Sequence, residues 1–249
     1  QLSFANEMSK AADGQYDELV ARAAQCLLDQ IQNEGCVDRA GALAAEEILS
    51  PLSEQAKRYT MHCIAHAHID MNWMWRFDET VAVVLDTFRT MLDLMEEYPQ
   101  YTYSQSQASV YRIVAEYGPA DMLEAIKQRI HEGRWEVSAS TWVEADKNTP
   151  NAESMARHLL YTRQYLSNLL ELDGERLQLD FEPDTFGHSK NVPEILNRGG
   201  VKYYYHTRGS MDSALCWWKS PSGAKVLSYC DPRGYNGTVD CEYASYMPV

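Results

Sequence analysis

The sequence predicts an α/β fold built on a largely parallel sheet, and three observations predict it. The first fifty residues read as helices, but the texture changes at Tyr59 to short β-prone runs. From there strands alternate with amphipathic helical stretches, the order that a parallel sheet requires. Polar and aromatic loops also fall repeatedly just after the strand-like runs. Such a sheet is either open or closed into a barrel, and in both cases ligands bind beyond the carboxyl ends of the strands.

Taken in order, Val20, Ala24, Leu27, Leu28 and Ile31 recur at helical spacing, and a second short helix fits Ala40 to Leu49 before Pro51. Tyr59 to Ala65 is the first strand candidate. A helix from about Glu79 to Tyr98 follows, with the apolar stripe Val81, Val84, Leu85, Phe88, Met91, Leu92 and Met95 and a stop at Pro99. Tyr101–Ser106 reads as a strand, Ser109–Tyr117 and Met122–Glu132 as helices, with Gly133 as a C-terminal cap. Trp135–Ser138 is a strand, and Ala152–Leu172 a long helix capped by Asn151. Leu177–Phe181, Lys202–His206 and Lys225–Tyr229 complete the strands, with a short helix at Val192–Asn197.

The 22 basic and 36 acidic residues leave a formal charge of −14, which repels nucleic acid and anionic membranes. No apolar run approaches the ~20 residues that span a bilayer. The six cysteines lie far apart without a C-x-x-C pair, so the expectation is reduced thiols in a cytoplasm. No signal-peptide pattern is present; the chain opens at Gln1 without Met.

Three constellations sit where strands end. In His66-Ala-His68-Ile-Asp70-Met-Asn-Trp73, residues two apart share one side of an extended segment, so His68 and Asp70 can converge on a divalent cation with His66 orienting them. A polar cluster closing the strand is the simpler alternative. In Glu182-Pro-Asp184-Thr-Phe186-Gly-His188-Ser189, a compact loop gathers Glu182, Asp184 and His188, and Gly187 permits close approach; Asp184 as a helix cap is the alternative. Trp142-Val-Glu144-Ala-Asp146 sets two carboxylates beside an indole, which suits a sugar, or else is a solvated loop.

The three motifs together, in this order, resemble the family 38 glycoside hydrolases, the retaining α-mannosidases. His66–Trp73 resembles the family's H-x-H-x-D-x-x-W, Asp184–Ser189 its D-x-F-G-H-S, and Trp142–Asp146 its W-V-x-x-D, with Ile195-Leu, Gly200-Val-Lys202 and Arg208 continuing the match. The resemblance runs from about Tyr59 to Arg208. It implies an irregular (β/α) barrel of mostly parallel strands over 56–249, preceded by an N-terminal helical segment over 1–55. It also implies Zn2+ on His68, Asp70 and Asp184, with Asp184 as the catalytic nucleophile. Trp73, Phe186 and Arg208 become substrate-binding residues, and Asp146 a support behind the metal ligands. The implied activity is hydrolysis of terminal α-mannosyl linkages of oligosaccharides or glycans through a covalent glycosyl-enzyme intermediate.

Two departures from the family pattern matter. No residue matches the further His that completes the zinc site, expected beyond Val249, and the acid/base lies at Asp231 or Asp240, neither in clean register. The chain is therefore expected to be a fragment of the catalytic region. The readings set against this one are a metal-dependent polysaccharide deacetylase, with Asp184 as general base, and a non-catalytic carbohydrate-binding domain. A homo-oligomer is compatible with all three.

Overall fold

The computed structural model describes residues 1–60, 64–209, 213–231 and 234–235. The chain divides into two compact units, one holding Gln1–Cys63 and the other Ile64–Tyr235.

The first unit is helical. Its elements are α1 (Leu2–Ala11), α2 (Asp17–Glu34), α3 (Arg39–Leu49) and, after a 3₁₀ turn, the single-turn α4 (Ser53–Ala56). Gly35 ends α2 with φ 76°, a conformation that a side chain would disfavour, and Asp38 caps α3 by accepting the Gly41 N–H at 2.8 Å. Ala5, Met8, Ala23, Ala45, Leu49 and Leu52 form its core. Of the stripe expected on α2, Leu28 and Ile31 stay exposed, at 49% and 44%.

The second unit alternates helices with short strands. Helix α5 (Phe77–Glu97) buries Val84, Phe88 and Met95 of its predicted stripe. Strand β1 (Tyr103–Gln105), α6 (Ala108–Tyr117), α7 (Ala120–His131) and β2 (Trp135–Val137) follow, then α8 (Ala152–Leu170), whose cap Asn151 accepts the Ser154 N–H at 2.8 Å. Phe88, Tyr111, Tyr103 and Trp135 interlock edge-to-face at the centre, with Phe88 and Tyr103 each meeting the indole within 5.1 Å. Each such burial contributes about 1.5–3 kcal/mol, and this cluster is the base on which the loops rest.

The strands form two sheets. Strands β1 and β2 pair in parallel, and a single parallel bridge ties His66 to Ser104 of β1. The bridge falls at His66, just past the strand expected at Tyr59–Ala65; Tyr59, Thr60, Ile64 and Ala65 are in no strand, and Met61–Cys63 lie outside the described residues. The larger sheet has the order β3-β4-β6-β5, from β3 (Leu179–Glu182), β4 (Tyr203–His206), β5 (Leu215–Lys219) and β6 (Lys225–Cys230), with α9 (Val192–Arg198) between β3 and β4. Among the described residues these ladders do not close into a barrel; the architecture is mixed α/β with mainly parallel strands.

Strand β5 is antiparallel to β6 and was not expected from the sequence. It is an edge strand with no fully buried residue and Trp217 58% exposed, and its run Leu215-Cys-Trp-Trp218 shows no alternation of apolar and polar residues. The signal available was the Ser220-Pro-Ser-Gly223 turn leading into β6, where Gly223 takes φ 92°. In register, Glu182, His206 and Cys230 sit side by side at the carboxyl ends of β3, β4 and β6. The segments carrying Asp184, Arg208 and Asp231 therefore leave the sheet along one edge. No described helix is long and apolar enough to cross a membrane, and Cys26, Cys36, Cys216 and Cys230 are free thiols.

Candidate functional site

The segment that carries His68 and Asp70 has almost no regular structure of its own. Side-chain amides from the end of β1 hold its backbone: Gln105 Nε2 donates to Ala67 O at 3.2 Å, and Gln107 Nε2 donates to Ile69 O at 2.8 Å. Gln107 reaches this position with φ 64°, an unfavourable backbone for a residue with a Cβ, and its Oε1 accepts the Glu144 N–H at 3.0 Å.

On this frame His68, Asp70 and Asp184 bring one ligand atom each to within 4.8 Å of one another. His68 Nε2 lies 3.4 Å from Asp70 Oδ1 and 4.0 Å from Asp184 Oδ2. That nitrogen is buried and makes no hydrogen bond among the described residues. An orphaned imidazole nitrogen facing two carboxylates is what a divalent cation would satisfy, and the N/O donor set suits zinc or a similar first-row ion.

The side chain behind His68 is Glu144. Its Oε2 lies 3.0 Å from His68 Nδ1, leaving Nε2 to face the carboxylates, and its Oε1 accepts the backbone N–H of Asp184. Burial acts to lower the His68 pKa, but the hydrogen bond and charge of Glu144, helped by Asp70 and Asp184, raise it overall. A bound cation would displace that proton.

Asp184 follows β3 and is gripped from the other side by Arg208, which leaves β4. Arg208 Nε donates to Asp184 Oδ1 at 3.0 Å, and its Nη2 meets the same oxygen. Thr207 Oγ1 donates to Pro183 O at 2.6 Å, tying the two loops together. The Arg208 guanidinium also lies over the Phe186 ring, 4.6 Å from its centroid, and Phe186 is 72% exposed. Trp73 is exposed too, edge-on to Trp75.

A buried ionic cluster lies on the strand that leads into the Asp184 loop. Lys147 Nζ is 2.7 Å from Glu182 Oε1 and 3.2 Å from Asp180 Oδ2, all three side chains being at most 4% exposed. Ser140 donates to Asp180 at 3.0 Å and Thr141 to Glu182 at 3.2 Å. Burial pushes the Glu182 carboxyl well above the usual range, against the pull of Lys147.

Several expectations from the sequence change here. His66 does not support the metal ligands; its Nε2 is 3.0 Å from Ser106 Oγ and its ring packs on Phe181. Glu144 rather than Asp146 stands behind them, since Asp146 Oδ1 accepts the Asn148 N–H at 2.9 Å in a local turn. Glu144 is also too buried to meet a sugar, and Trp142 packs on Tyr165 of α8. Glu182 is likewise drawn into the buried cluster, where Lys147 and Thr141 hold it. Gly187 does permit the expected close approach: a Cβ there would sit 1.9 Å from Asn148 Nδ2.

Tyr235 escaped the sequence reading because it falls outside every motif. Its hydroxyl bonds the Asp184 carboxylate, and its ring lies 5.1 Å from that of His68. Burial and the negative charge of Asp184 push its phenol up to about 12. Asp231 follows β6, with its N–H on His206 O at 2.7 Å and its Oδ2 accepting from Tyr205 at 3.0 Å. Asp240 lies outside the described residues.

The His68–Asp70–Asp184 cluster, Arg208 on Asp184 and the exposed Phe186 ring against Arg208 form one connected arrangement. Residues 58–245 match the glycosyl hydrolases family 38 N-terminal domain, and the chain belongs to that family. It is 29% identical over 205 residues to alpha-mannosidase G of Dictyostelium discoideum, covering 80% of this chain and 18% of that protein. Human alpha-mannosidase 2C1 is 29% identical over 192 residues, covering 74% and 18%. Among solved structures, an alpha-mannosidase from Enterococcus faecalis V583 shares the fold with a TM-score of 0.62 at 20% identity, covering 69% of this chain and 20% of that one. The chain thus spans about a fifth of the length of these relatives.

Proposed function

We propose that this chain supplies the metal ligands and the nucleophile of a zinc-dependent retaining α-mannosidase acting on oligosaccharides or glycans with terminal α-mannose. The observation that carries the reading is the divided environment of Asp184. One carboxylate oxygen faces His68 Nε2 beside Asp70, and the other is held by Arg208. A carboxylate fixed at both ends and 20% exposed is suited to attack an anomeric carbon from one direction. Family membership and the α-mannosidase relatives support the substrate class.

His68, Asp70 and Asp184 would hold the ion, which when bound orients sugar hydroxyls and stabilises developing charge. Asp184 forms the bond to C1 as the glycosidic oxygen leaves, and an acid on the opposite face protonates that oxygen. Phe186 and Trp73 present aromatic faces to the apolar side of the ring. Asp231 and Asp240 remain the two candidates for the acid. An irregular barrel, completed by chain outside the described residues, is part of the same reading, and the Enterococcus structure supports it.

The test is to incubate the full-length protein with an activated fluorosugar α-mannosyl donor and map the labelled peptide by mass spectrometry. Label on Asp184, with one zinc per chain by elemental analysis, is the expected result. Turnover without any covalent adduct, together with release of acetate from acetylated sugars, would favour a deacetylase. Binding without turnover would favour a carbohydrate-binding domain.

A further inference from the structure

His188, inside the Asp184–Ser189 motif, has no part in the chemistry above, yet its ring is built against the nucleophile's partner. Its Nε2 lies 3.1 Å from the backbone carbonyl oxygen of Arg208. His206, at the end of β4 and only 1% exposed, places its Nδ1 2.8 Å from the same oxygen. A carbonyl oxygen only accepts, and it has two lone pairs, so both nitrogens must carry hydrogen. The remaining nitrogens face hydroxyls: His188 Nδ1 is 2.8 Å from Tyr204 Oη, and His206 Nε2 is 3.2 Å from Ser228 Oγ. Tyrosine and serine can donate there, so every nitrogen is satisfied with both rings neutral. The ring centroids are 4.6 Å apart, which disfavours a second positive charge on either.

Arg208 needs such support. Strand β4 ends at His206, so the sheet ladder stops short of Arg208, and Gly209 turns the chain with φ 98°. The Arg208 side chain is 48% exposed, and without a fixed backbone its guanidinium would sample many rotamers away from Asp184.

We infer that His188 and His206 are positioning residues: a two-point anchor of fixed, opposite tautomers that holds the Arg208 main chain so that its guanidinium bears on Asp184. The anchor rests on the reading of Asp184 as nucleophile for its consequence in catalysis, though not for its geometry.

Opposite tautomers allow a crossed test in the full-length enzyme. An asparagine amide nitrogen sits close to where Nδ1 does, and a glutamine amide nitrogen close to where Nε2 does. His188→Gln and His206→Asn keep the donor to Arg208; His188→Asn and His206→Gln misplace it. The matched pair should hold kcat within about threefold of wild type, and the mismatched pair should lose about tenfold or more in kcat with KM little changed. Losses that follow melting temperature instead of the match overturn the anchor. Should a mismatched variant fail to fold, His188→Ala at the half-buried position removes that donor without inserting a competing group, and an unchanged kcat there overturns the anchor as well. If wild type does not turn over an aryl α-mannoside, the mannosidase reading falls. Crystal structures of the four variants then decide the anchor separately. Arg208 Nη2 should stay bonded to Asp184 in the matched pair and leave it in the mismatched pair; retention in all four refutes the anchor.

Discussion

The two loops that meet at the cation-ready cluster are held in opposite ways. The His66–Asp70 segment has a single bridge to β1 and is fixed by neutral amides, chiefly Gln105 and Gln107, reaching its carbonyls. The Asp184 loop leaves a four-stranded sheet and is fixed by charge: Arg208 at its carboxylate, Glu144 at its N–H, and the Lys147–Glu182–Asp180 cluster on the strand that leads into it. The contrast suits the proposed roles: a metal-ligating imidazole needs its ring orientation fixed, to which Glu144 also contributes, whereas an attacking carboxylate needs counter-charge that keeps one oxygen in place.

The widest separation between the loops comes from neutralising the carboxylate proposed as nucleophile, which only one of them carries. Asp184→Asn in the full-length protein should lower turnover of an aryl α-mannoside by about 10⁴- to 10⁶-fold while the fold persists. Steady-state kinetics beside a circular dichroism spectrum checks this, and near-normal kcat would move the nucleophile elsewhere. Glu144→Gln touches both loops at once, at His68 Nδ1 and at the Asp184 N–H. Zinc affinity, measured by competition with a chromophoric chelator, should weaken about 10- to 100-fold. Unchanged affinity would mean that His68 is oriented without Glu144.

These contrasts also show what could be read from sequence. Asp184 was joined to His68 and Asp70 only through the family resemblance, whereas those two were legible as a pair because alternation on an extended segment is a local pattern. The long helices were legible for the same reason: α5 and α8 start and stop within a few residues of their predicted bounds, at Pro99 and at the Asn151 cap. Glu144's role was not legible, because its partners are 76 and 40 positions away and a buried orienting carboxylate has the same letter as a solvated one. Tyr235 and strand β5 carry no periodic signature at all. His66 misled because sharing a side with His68 fixes direction only, and Ser106, 40 residues on, decided its partner.

A smaller effect isolates the amide-held loop. Gln107→Ala removes the bonds to Ile69 O and the Glu144 N–H but keeps a Cβ at φ 64°, whereas Gln107→Gly removes the bonds and the strain together. The alanine variant should be less stable than wild type by about 1–3 kcal/mol from the buried groups left unpaired. The glycine variant should recover about 1 kcal/mol of that. Urea denaturation of the full-length variants measures both, and equal losses would show that the positive φ stores no strain.

A further effect belongs to the charge-held loop and is read through pH. Burial, then the neighbouring His206 and the more distant Lys147, lower the His188 pKa to about 4; the Arg208 carbonyl and Asp146 oppose the shift without cancelling it. Tyr204 and Trp218 pack on the ring and carry no charge at these pH values. In the unfolded chain a histidine titrates near 6.5. Between those values the unfolded state binds a proton that the folded state refuses, so acid favours unfolding. The stabilisation from a neutral His188 is therefore fully present above about pH 6.5 and is lost progressively as the pH falls toward about 4. Denaturation midpoints of the wild type and of His188→Gln, compared at several pH values across that window, isolate the contribution. The difference between the two proteins should shift in favour of the glutamine variant as the solution is acidified, because glutamine takes up no proton. A difference that stays constant from neutral to acid would mean that His188 titrates alike in both states, and that its burial beside His206 carries no electrostatic cost.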